Sequence, residues 1–161
     1  LYAKIIDMLH SIAPDVLVTL VDDKKSAPIS VRCFGEFEVF YDNRPISFKR
    51  ARTKELLAVL GCHRGSMMTM GSIMSILWED GEDTDSDRSY LRSMIADLKK
   101  SFSDVGADDV IIKEYNRIGI NADRINCDYY DFLEGSPKAV ASYNGQFMKQ
   151  YSWAEYEIRK S

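Results

Sequence analysis

Arg88, Ser89, Arg92, Ser93, Lys99 and Lys100 fall within one stretch of the chain at helical spacing. An arginine guanidinium is a planar fork that binds guanine or phosphate bidentately, and serine adds short hydrogen bonds. Ala96 leaves room among them for close approach to a thymine methyl, while Lys99 and Lys100 suit phosphate contacts. Asn116 and Arg117 form a second group, where Asn116 shapes a turn and Arg117 suits a minor groove or its flanking phosphates. This is the chemistry of binding rather than of bond-making. The chain has two histidines, His10 and His63, in unrelated segments. It has no metal-ligand spacing, no Gly-rich phosphate loop and no nucleophile elbow. The carboxylates between positions 79 and 87 form a loop run suited to solvation. No catalytic residue, metal, cofactor or small-molecule substrate is therefore expected.

The elements that must position these groups can be read from periodicity. Leu91, Met94, Ile95, Leu98 and Phe102 recur at the spacing of one helical face, and Thr84 or Asp85 is suited to cap that helix. A first helix over Arg50–Cys62 carries Leu56, Leu57 and Leu60, with Gly65 suited to the exit loop. A second, capped by Thr69, carries Ile73, Met74, Leu77 and Trp78. Val110–Lys113 and Ile118–Ile120 flank Glu114-Tyr115-Asn116-Arg117 and read as a hairpin. Ahead of the helices, Ile29–Phe34, Glu36–Tyr41 and Pro45–Phe48 read as three short strands of an antiparallel sheet. The expected fold class is α+β: an N-terminal antiparallel sheet, three helices and a C-terminal hairpin, with short helical flanks. That order is a winged helix-turn-helix, in which one helix enters the major groove and the hairpin grips the backbone.

The flanks and the charge complicate this picture. Residues 1–13 place Ile5, Ile6, Leu9 and Ile12 on one helical face, and Asp15–Val21 reads as a buried strand followed by a polar linker. Residues 1–27 are thus an extension, or the remnant of a preceding receiver-like or sensory domain. The opening Leu fits a chain cut from something longer. Asp22 and Asp23 resemble a phospho-acceptor pair, although a solvated strand end is the simpler reading. After a winged domain over residues 28–135, Asp128–Leu133 is expected as a short helix, and Ala139–Tyr143 and Phe147–Arg159 as helical pieces of a further domain over 136–161. Scattered Cys33, Cys62 and Cys127 fit reduced thiols in a cytoplasm. No apolar run is long enough to span a bilayer, so no membrane contact is expected. The net charge is −4. Residues 28–135 hold 14 Lys and Arg against 19 Asp and Glu, a net −5. Any DNA binding must rest on local segregation of charge, and Asp87 and Asp97 lie close enough to Arg88, Arg92 and Lys100 to mute it. Met67, Met68, Met70, Met74 and Met94 offer a soft surface, but core filling is the better reading.

The motifs PISFKRARTKELLAVL, MGSIMSILWED, DRSYLRSMIADLKKSF and VIIKEYNRIGIN, in that order, resemble a known family. Residues 29–134 are similar to the winged-helix DNA-binding domain of the OmpR/PhoB type, in the version found in Streptomyces antibiotic regulatory proteins. The Leu77-Trp78 pair closing the second helix is part of the likeness. The chain departs from it at Ser72, where an acidic residue is usual, and at Arg117-Ile118-Gly119-Ile120, which lacks the usual Gly-Tyr. Tyr143–Phe147 and Trp153-Ala154-Glu155 resemble the opening helices of the bacterial transcriptional activation domain that follows in this family. The resemblance implies sequence-specific binding of double-stranded promoter DNA and activation of transcription in the manner of a two-component response regulator. RNA polymerase is the implied partner, with a homodimer on DNA if half-sites are tandem. The acidic balance supports the alternative of a winged helix that binds protein. A DNA reader should gather its positive charge at the third helix and the hairpin, whereas a protein binder should show an apolar patch there.

Overall fold

Alternating apolar side chains from Ile29 onward begin the fold by building one face of a sheet. The computed structural model describes residues 28–78 and 84–160. The expected helix and strand of residues 1–27, Asp22 and Asp23, and the acidic run 79–83 lie outside the described residues. Strands β1 (Ile29–Arg32), β2 (Glu38–Tyr41) and β3 (Arg44–Pro45) are antiparallel, with Ile29 opposite Tyr41 and Val31 opposite Val39. The β2–β3 turn places both Asp42 and Asn43 at positive φ, +48° and +63°. This is the geometry a two-residue hairpin needs, and Asp and Asn tolerate it best after glycine.

In helix α1 (Ala51–Cys62) every residue from Leu56 to Cys62 is buried. It packs against α2 (Met70–Leu77), α3 (Asp85–Ser103) and the hairpin. Thr69 caps α2 by accepting from the Ser72 amide, and Thr84 caps α3 by accepting from the Asp87 amide. The buried face of α3 is Leu91, Met94, Ile95, Leu98 and Phe102, as its periodicity required. The hairpin consists of β5 (Ile111–Glu114) and β6 (Arg117–Ile120), joined by Tyr115-Asn116 with Asn116 at φ +56°. A two-residue strand β4 (Met68–Thr69) pairs with β6 and ties the hairpin to the start of α2. Of the five methionines between Met67 and Met94, Met68, Met74 and Met94 are core residues; Met67 and Met70 are half-buried.

The three antiparallel strands take the expected order, and the structure adds a fourth. Strand β7 (Ile125–Cys127) runs parallel to β1, giving the order β3-β2-β1-β7. Its three residues are too few to show alternation, and its partner lies far away in sequence. Helix α4 (Asp128–Leu133) follows at once, then α5 (Pro137–Ser142) and α6 (Ala154–Lys160).

The expected helix over Phe147–Arg159 forms only in its second half. Residues 146–149 instead bond to the main chain of 33–35 around a single bridge between Phe34 and Phe147: Gly35 N donates to Gln146 O, Met148 N to Cys33 O, and Lys149 N to Gly35 O, all at 2.7–2.8 Å. The Gln150 amide doubles this edge, accepting from Phe37 N at 2.8 Å and donating to Phe37 O at 3.0 Å. Positive φ at Gly145 and Met148 breaks the helical path there. Phe147, Met148, Trp153 and Ala154 are buried in the same hydrophobic cluster as α1 and the sheet. Among the described residues, no helix is long and apolar enough to cross a membrane.

Because α3 is held by one apolar face, shortening a side chain at its centre should loosen the whole bundle. Leu98→Ala is expected to cost about 2–5 kcal/mol in urea unfolding, by lost burial plus the cavity left behind. Ala96→Ser, on the opposite exposed face, should stay within about 0.5 kcal/mol of the parent.

Candidate nucleic-acid interface

Arg50 and Arg52, at the start of α1, are spent on holding helices together. Arg50 pairs with Asp97 at 3.3 Å and lies 5.2 Å above the Tyr90 ring, joining α1 to α3. Arg52 lies 5.2 Å from the Trp78 ring, donates to the Leu77 carbonyl at 2.9 Å and pairs with Glu55 at 2.7 Å. Trp78 and Tyr90 meet edge to face, so the two arginines and two aromatics form one cluster at the junction of the three helices. Asp97 is thereby turned toward Arg50 and away from the basic face of α3. The pairing of Asp97 with Arg92 or Lys100 that the spacing allows does not form.

The opposite face of α3 borders an open groove of about 700 Å³. Arg88, Arg92, Ile95, Ala96 and Lys99 of α3 line one wall. Lys113, Tyr115 and Asn116 of the hairpin line the other, with Met70 at its end. Four cations face this space, and among the described residues no carboxylate lines it. Among the described residues no carboxylate is paired with Arg92 or Lys99. The hairpin is fixed relative to the helices: Met70 N donates to Asn116 O at 3.2 Å, and Thr69 sits opposite Arg117 in the strand register. Tyr115 stands 98% exposed at the tip.

Of the residues singled out by type and spacing, the structure gathers Arg88, Arg92, Lys99 and Asn116 around the groove. Ser89 and Ser93 are exposed beside it, with the Ser93 hydroxyl donating to the Ser89 carbonyl at 3.1 Å. Lys100 lies outside it and pairs with Asp104 at 3.1 Å. Arg117 also lies outside, paired with Glu114. The strand register explains this difference. Lys113 sits opposite Ile118, which is buried against the helices, so Lys113 shares the inner face; Glu114 and Arg117 share the outer one. Lys113 and Tyr115 were missed because a four-residue tip left the register open, whereas a two-residue turn at Tyr115-Asn116 assigns both.

A second cluster was not legible in any local spacing. Cys33, Cys127 and Asp128 converge in the core, with one ligand-capable atom of each within 4.8 Å of the others. The Asp128 carboxylate accepts from the amides of Cys33, Phe34 and Tyr129 at 2.7, 3.1 and 2.7 Å, tying the end of β1 to the start of α4.

No protein-family model matches the chain, and no curated protein matches it. Among solved structures it is similar to Mycobacterium tuberculosis EmbR, in a complex with a low-affinity phosphopeptide, at TM-score 0.69 and 15% identity. The match covers 83% of this chain, which spans 41% of the EmbR chain. At that identity the likeness is one of fold, and the fold is α+β of the winged-helix kind.

The Arg50 assignment is open to a direct check. Arg50→Ala should lower thermal stability by about 1 kcal/mol through loss of the partly exposed Asp97 pair and the Tyr90 contact. Lys100→Ala, which removes only an exposed pair, should leave the melting temperature within error.

Proposed function

We propose that this chain is a DNA-binding transcription regulator that lays α3 in the major groove and sets the hairpin against the adjacent backbone. The observation that carries the reading is the groove between them, where Arg88, Arg92, Lys99 and Lys113 gather and no acidic side chain lines the walls among the described residues. A chain of net charge −4 binds a polyanion only through such segregation. The fold shared with EmbR and the motif resemblance support the same reading.

In this arrangement Arg92, at the middle of the exposed face and beside the small Ala96, is the residue placed to read a base edge. Lys99 and Lys113 flank the groove as phosphate contacts, and Ser89 and Ser93 add hydrogen bonds. Arg88 serves the end of the helix nearest the start of α3. Tyr115 reaches past the hairpin backbone, where a ring packs against sugar. Lys100 and Arg117 act at the rim, through phosphates beyond the groove. Promoter DNA and RNA polymerase are the partners, and two copies on tandem half-sites give the bound assembly.

The test is fluorescence anisotropy of the full chain on its own upstream DNA at several salt concentrations. Four phosphate contacts predict a log–log salt slope of about −3 to −4. Arg92→Ala should cost about 1–3 kcal/mol and relax sequence preference, whereas Lys113→Ala should weaken all sequences alike and reduce the slope by about 1. Binding that is undetectable or insensitive to salt would overturn the proposal.

A further inference from the structure

Cys33, Cys62 and Cys127, distant in sequence, are all buried free thiols. Cys33 and Cys127 sit at adjacent strand ends, with their sulfurs 3.6 Å apart. Two thiolates on one tetrahedral zinc ion, at Zn–S of about 2.3 Å, stand about 3.8 Å apart, so this pair is spaced for a shared ion. A carboxylate oxygen of Asp128 lies within 4.8 Å of both sulfurs.

The surroundings of that carboxylate resemble those of a metal ligand. Oδ1 accepts two amides, from Cys33 and Tyr129, which leaves it saturated. Among the described residues Oδ2 accepts only the Phe34 amide, at 3.1 Å, and keeps a lone pair. Three main-chain donors thus fix the carboxylate in orientation, as outer hydrogen bonds do for metal ligands. The Cys62 thiol is committed elsewhere, donating to the Met148 sulfur at 3.7 Å.

We propose that Cys33, Cys127 and Asp128 form a structural zinc site that clamps β1 to β7 where the sheet passes into α4. Two Zn–S bonds form as two S–H bonds break, so two protons leave per ion bound, and a water molecule completes the tetrahedron. Affinity should therefore fall about 100-fold for each unit that pH is lowered near neutrality.

The experiment titrates the reduced, metal-free full chain with Zn2+, and with Cd2+ as a spectroscopic substitute. The expected result is one equivalent bound, a raised melting temperature, two protons released, and ultraviolet absorption from two Cd–thiolate bonds. Cys62→Ser should keep all four signals. Cys127→Ala should lose half the absorption and the second proton, and Asp128→Asn should weaken Zn2+ at least 10-fold, in line with loss of a charged ligand. If a core variant fails to fold, the parent titration decides alone. Absence of Cd–thiolate absorption in the folded parent, or its loss in Cys62→Ser with full retention in Cys127→Ala, would overturn the site. DNA binding is not required for any of these readouts.

Discussion

The rotational setting of α3 governs everything that this surface can do. Five apolar side chains, Leu91 to Phe102, lock one face onto α1, and the remaining positions have no choice but to face outward. The same setting turns Asp97 inward to Arg50, so the one carboxylate at the centre of the helix is removed from the exposed face. Segregation of charge in this acidic chain thus follows from packing rather than from an excess of basic residues. The hairpin completes it, because burial of Ile118 forces its register partner Lys113 to the same side.

What was legible in the sequence was what neighbours in sequence decide. The face of α3, the caps at Thr69 and Thr84, and the hairpin strands all follow from local spacing or from one side chain meeting a nearby amide. Strand β7 and the bridged segment at 146–150 were not legible, because each gains its hydrogen bonds from the segment around 29–37 and carries no pattern of its own. The PISFKRARTKELL motif shows the opposite limit. Its arginines are plain in the sequence, yet only the positions of Trp78, Tyr90 and Asp97 reveal that they join helices. Of the candidate site, the helix wall was readable and half of the hairpin wall was not, since a shift in turn length exchanges Lys113 for Arg117.

The far end of the chain changes how the domain is to be pictured. Residues 146–150 satisfy main-chain groups of Cys33, Gly35 and Phe37 that would otherwise form an open edge beyond β1. Phe147 stacks edge-on against Tyr129, and Trp153 donates its indole N–H to Glu55 of α1 at 3.0 Å. The winged core and the segment after residue 135 therefore share one apolar interior, and a cut between them would expose both.

The bond from Met70 N to Asn116 O gives the groove a rigid frame. Its walls are set before any ligand arrives, so little backbone entropy remains to be lost there on association. What remains free is the set of long side chains projecting from those walls, each of which surrenders about 0.5–1.5 kcal/mol of rotamer freedom when immobilised. The surface is a stiff mount carrying soft bristles. In the proposed complex such a surface would tolerate small differences in groove width, and its selectivity would rest on which bristles are stilled rather than on how the fold bends.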